Sequence, residues 1–146
     1  MALDVEAVIE IAASREQVWR ALTEPALVAA WMGCLGYQPL PGHVFHLQPH
    51  RERRERGDVE GAIACRIRVL DAPRRLAFSW AFPDTEETEV SLRLTRIAGG
   101  THVRLLHTGW DQFEEQETAA MREGLARAWH NVALPALRRV AEDSAA

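Results

Sequence analysis

The hydrophobic period changes once along this chain, and that change limits the possible folds more than any other feature. Between residues 42 and 108, apolar side chains recur at every second position. Phe45 and Leu47 share a face. Ile63, Cys65, Ile67 and Val69 share the next, opposite Arg66 and Arg68. Leu76, Phe78, Trp80 and Phe82 follow, then Val90, Leu92 and Leu94, then Val103, Leu105 and His107. A period of two sends alternate side chains to opposite faces of a sheet, so each run predicts a half-buried strand. After Gly109 the period becomes that of a helix: Met121, Leu125, Trp129, Val132, Ala136 and Val140 form one stripe. The final helix is expected to start between Asp111 and Ala120 and to pack Leu125, Trp129 and Val132 on the sheet. Gly124 should weaken it, and Pro135 should kink it by removing a backbone donor and crowding the preceding turn.

Upstream, Val5, Ala7, Ile9 and Ile11 alternate with Glu6 and Glu10, which predicts one more strand. Ser14 stands three residues before Gln17, the spacing of a helix-capping box, and Val18, Trp19 and Leu22 follow at helical spacing. Pro25 suits the first turn of a second short helix ending near Trp31-Met32-Gly33. Pro49 breaks a strand, and Arg51 to Asp58 reads as a charged hairpin tip whose two signs pair in solvent. Asp71-Ala72-Pro73 and Gly99-Gly100 read as turns. The predicted order is strand, two helices, five strands and a long helix. Only that helix can cover the buried face of the sheet. The expected fold is α+β: a curved antiparallel sheet wrapped on the C-terminal helix, with a cavity where the two diverge. At 146 residues, the chain is expected to be a single domain, 1–146.

Composition narrows the function. The net charge is −4, without the basic stripe of a duplex nucleic-acid binder. All 17 basic residues are Arg, which removes Schiff-base chemistry. The longest apolar run, Ala26 to Tyr37, is too short for a membrane span, which needs about 20 residues. Asp4 and Glu6 stand where a signal peptide would be cationic, so a cytoplasmic location is expected. Cys34 and Cys65 make no disulfide framework. His43 and His46 face opposite sides of a strand, so no metal site is expected at His43, His46 and His50, and no cofactor is called for.

The segment Ala12-Ala-Ser-Arg-Glu-Gln-Val-Trp-Arg-Ala-Leu-Thr23, followed by Pro25 and Trp31, resembles the start of the START-like (SRPBCC, Bet v 1-like) superfamily. More narrowly, it resembles the bacterial branch related to activators of the 90-kDa heat-shock protein ATPase. Asp71 to Trp80, Gly99 to Gly109 and the Ala128-Trp129 pair are similar to that branch's turn, last strand and C-terminal helix. The resemblance implies a helix-grip fold with a hydrophobic ligand cavity.

Inward parity, with Trp129 from the helix, nominates a pocket of Phe45, Ile67, Phe78, Trp80, Leu92, Val103, Leu105, His107 and Trp129. Ligand pockets are mostly apolar with a few placed polar groups, and His107 is the polar member. The leading expectation is a module holding an apolar or aromatic ligand. One alternative is a polyketide cyclase- or hydrolase-like enzyme with His107 as acid or base. Another is a co-chaperone-type protein-interaction domain. A Cys65–His107 nucleophilic pair is not expected: the implied strand order separates the two by about 14 Å. The expected partner is a hydrophobic small molecule, with a homodimer as an assembly the sequence allows, and no nucleic acid or membrane.

Overall fold

The computed structural model describes residues 3–145. Strand β1 (Val5–Ile11) leads to helix α1 (Arg15–Thr23), where the Ser14 hydroxyl accepts from the Gln17 amide at 3.1 Å. Helix α2 (Pro25–Met32) begins at Pro25 and ends at Gly33, whose φ of 66° is the left-handed conformation that closes a helix cheaply only with glycine. Val18, Ala21 and Leu22 of α1 are buried, as are Val28 and Trp31 of α2.

The chain then forms β2 (Cys34–Leu35), β3 (Val44–Leu47), the one-turn helix α3 (Arg51–Glu55), β4 (Ile63–Asp71), β5 (Arg75–Trp80), β6 (Thr88–Ile97) and β7 (Gly100–Thr108). All seven strands join one antiparallel sheet in the order β1-β7-β6-β5-β4-β3-β2. The register lines up the inward parity across strands. Val5 pairs with His107, His107 with Val90, Val90 with Phe78, and Phe78 with Ile67. A second row runs Ala7, Leu105, Leu92, Leu76 and Leu70; a bulge between Ile67 and Val69 shifts the parity of β4, so Leu70 rather than Val69, expected from the alternation, packs inward. At the β6–β7 turn, a Cβ on Gly100 would stand 2.1 Å from the Ile11 carbonyl oxygen, so only glycine lets β1 approach there.

Two elements depart from the sequence reading. β2 is two residues long, too short to show a period. The segment expected as a hairpin tip holds a helical turn, α3. The cause is Gln48, 1% exposed, whose amide donates to the carbonyls of Asp58 and Glu60 and whose carbonyl accepts from His50. One buried side chain thus closes the loop on itself.

The C-terminal helix starts at Glu115, inside the expected window, and runs as α4 (Glu115–Ala128), a π-helical segment (Trp129–Ala133) and α5 (Leu134–Ala145). Trp129 is buried, and Leu125 packs against the core. Val132, expected on the sheet, is instead 66% exposed. The π segment causes the difference. The Leu134 amide bonds back to the Trp129 carbonyl, five residues away, so the helix carries one residue more than an α-turn holds. Pro135, which has no N–H of its own, follows directly. The buried stripe therefore runs Trp129, Leu134, Leu137 and Ala141, and the last three are fully buried. α5 packs against α1, α2 and β1. Burying each of the two leucines contributes about 1.5–3 kcal/mol. Among the described residues no helix is long and apolar enough to cross a membrane.

Candidate functional site

His107 lies in the middle of the first inward row and is fully buried. The Thr88 hydroxyl is 3.0 Å from the Trp80 carbonyl and 2.7 Å from His107 Nε2. A hydroxyl has one proton; if it donates to the carbonyl, it accepts from Nε2–H. That assigns the neutral Nε2–H tautomer and leaves Nδ1 as an acceptor, and Trp129 Nε1 stands 3.4 Å away to donate to it. Burial pulls the imidazole from its usual 6.5 down to about 3, so the ring is uncharged near neutrality. Trp80, Trp110 and Trp129 surround it, with ring centroids 4.8 to 6.3 Å from its own. Both nitrogens are thus engaged by protein, and the ring carries no proton ready to transfer.

The two indoles of Trp80 and Trp129, 5.4 Å apart with their planes inclined at 60°, form the back wall of a cavity of about 250 Å³ between the sheet and the C-terminal helix. Its floor is buried: Trp31, Leu47, Gln48, Trp80 and Trp129. Ile63 and Leu125 complete the sides. Exposed Pro49, Ala128 and Val132, with half-buried Arg54, form the mouth. The helix's extra residue therefore bears on the site: it turns Trp129 to the floor and Val132 to the rim.

The indoles of Trp31, Trp110 and Trp129 each donate a hydrogen bond, to Ala21 O, His107 O and His107 Nδ1. Trp80 Nε1 is buried and has no acceptor among the described residues. An unpaired buried donor costs about 1–3 kcal/mol. Trp80 also borders a smaller cavity of about 170 Å³, lined by Phe82, Thr88, Trp110, Phe113 and Met121 among others.

Of the nine residues nominated from the sequence, Trp80 and Trp129 line the larger cavity. Phe45, Ile67, Phe78, Leu92, Val103 and Leu105 are 0 to 1% exposed and belong to the core instead, and His107 is buried against both tryptophans without reaching the lining. Phe45 meets Tyr37 and Phe78 edge-on, at 5.0 and 5.4 Å. Cys65 lies on β4, with β5 and β6 between it and His107. Burial pushes its thiol up, and that of Cys34 to about 11, so neither is a ready nucleophile. His43 Nε2 is hydrogen-bonded to Gly36 O, and among the described residues no three His, Cys, Asp or Glu side chains are grouped to hold a metal ion.

The sequence reading missed Arg54, Gln48 and Ile63 as lining residues. The available signal was arithmetic: Arg51 to Arg56 holds four arginines and two glutamates. In the structure Arg51 pairs with Glu55, Arg56 with Asp58, and Arg53 donates to the Glu60 carbonyl. Arg54 donates through Nη1 to Gln48 O at 2.9 Å.

A curled antiparallel sheet closed by a long C-terminal helix, with an apolar cavity where they part, defines a START-like, Bet v 1-like domain. The chain belongs to the family described as Activator of Hsp90 ATPase homolog 1-like protein, which it matches over residues 12–133. Similar solved structures include BH1534 of Bacillus halodurans, 26% identical over 94% of this chain and 96% of that one, with a TM-score of 0.73. A protein of Rhodobacter sphaeroides is 25% identical over 98% and 94%, with a TM-score of 0.74. DynU16, a putative protein of the dynemicin biosynthetic locus, shares the fold at 22% identity and a TM-score of 0.73; the match covers 97% of this chain but 48% of DynU16. No curated protein matches the sequence.

Proposed function

We propose that this domain binds a compact apolar or aromatic molecule in the cavity between the sheet and the C-terminal helix. The observation that carries the reading is the cavity's composition: three tryptophans, Leu47, Ile63 and Leu125 enclose about 250 Å³. An apolar cavity of about 150 Å³ holds one benzene ring. Pockets for drug-sized ligands begin near about 300 Å³. The occupant is thus one ring or two fused rings. His107 supports the site from behind by holding Trp129 and, through Thr88, the Trp80 backbone. A general acid or base must reach the reacting proton, and this ring, with both nitrogens engaged, suits a fixed wall better than proton transfer.

The test fills the cavity from its rim. Ala128 is exposed and lines the mouth, so Ala128→Phe adds a ring without removing core packing. The native domain should bind the neutral two-ring probe 1-naphthylamine with a shift in its fluorescence. Ala128→Phe should bind it at least about tenfold more weakly, a loss of about 1.4 kcal/mol, with an unchanged melting midpoint. Equal binding by both proteins, or none by the native one, overturns the reading.

A further inference from the structure

We infer that the cavity's occupant is an organic anion: an aromatic or apolar body carrying a carboxylate, which Arg54 clasps at the mouth. The inference rests on the binding role proposed above and specifies its ligand. Among the described residues, Arg54 is the one charged residue in the lining. The other three arginines of its segment are occupied by Glu55, Asp58 or the Glu60 carbonyl. Among the described residues Arg54 has no carboxylate partner, and its hydrogen bond to Gln48 O uses Nη1.

The geometry of that bond matters. Nη1 is tied to Gln48 O, and Gln48 is itself held by three hydrogen bonds. The guanidinium also lies over Gly33, where a Cβ would sit 3.5 Å from Nη1. The head group is therefore fixed, and the edge left over is Nε–H with Nη2–H. Two parallel donors on a rigid plane match the two oxygens of a carboxylate. Arg54 borders an otherwise apolar cavity, and among the described residues no acidic side chain lines it to oppose an anion there.

The experiment compares 2-naphthoate with its neutral isostere 2-naphthamide by calorimetry on the native domain, Arg54→Met and Arg54→Lys. The native domain should prefer the acid by about tenfold, the effect of one partly exposed charge-assisted pair. Arg54→Met should abolish that preference, bringing the affinity for the acid down to that for the amide. Arg54→Lys should keep part of it, because an ammonium supplies charge without the planar fork. Equal native affinities for acid and amide overturn the anion assignment and leave the binding role standing. Failure of the native domain to bind either overturns both. A preference that survives in Arg54→Met also overturns the assignment to Arg54. The native comparison stands even if a variant folds poorly.

Discussion

Removing the titratable ring of His107 should change how stability depends on pH, by an amount that follows from its burial. In the folded domain the imidazole is held near 3, against 6.5 for a free histidine. Below pH 6.5 the unfolded chain takes up a proton that the native state refuses. The group therefore destabilises the fold progressively as pH falls from about 6.5 toward 3, and has no effect above that window. One pH unit of unequal protonation is worth about 1.36 kcal/mol, so by pH 5 the loss is about 2 kcal/mol. His107→Gln keeps one donor for Thr88 and one acceptor for Trp129 but cannot titrate. Urea unfolding of both proteins near pH 7.5 and pH 5 supplies the measurement. The native domain should lose about 2 kcal/mol more than the variant between the two conditions. Contributions from other ionisable groups, such as the Arg-paired Glu16 and Asp71 carboxylates, cancel in the difference. Parallel pH curves would refute the neutral, closed hydrogen-bond chain and return His107 to the list of groups able to exchange protons at the site.

The phase of the C-terminal helix makes a second prediction. Leu137→Ala should cost about 2–5 kcal/mol in denaturant unfolding, whereas Val132→Ala should stay within about 0.5 kcal/mol; the reverse order would mean the π segment is absent. For Trp80, the change to Phe removes an indole N–H that has no acceptor. The lost ring packing and the removed unpaired donor act in opposite directions, so stability should fall by less than about 3 kcal/mol, and a larger loss would show that the N–H has a partner.

Alternation made the sheet legible because it reports directly on which side chains face inward. The row Val5, His107, Val90, Phe78 and Ile67 follows from parity and register together. The same signal reads the cavity poorly. An inward side chain on β5 or β7 meets either the covering helix or empty space, and parity is identical in the two cases. Phe78 and Trp80 share a face of β5, yet Phe78 is core and Trp80 is wall. Which of them borders the void depends on how far the second layer reaches. Two local events decide that: the extra helical residue ahead of Pro135, and the loop that Gln48 ties shut around Arg54. Neither has a period. Gln48 looks like an ordinary polar residue before Pro49, and its three hydrogen bonds all run to backbone within the next dozen residues.

The break at Trp129–Ala133 divides the labour of the last helix. Behind it, α5 anchors the domain through Leu134, Leu137 and Ala141, all fully buried. Ahead of it, α4 buries only Thr118 and offers Leu125 and Ala128 to the cavity. Surface substitutions away from buried contacts change stability by no more than about 0.5 kcal/mol. The half of the helix that shapes the cavity is thus largely released from holding the molecule together. Substitutions in α4 can therefore reshape the cavity while the anchor stays constant.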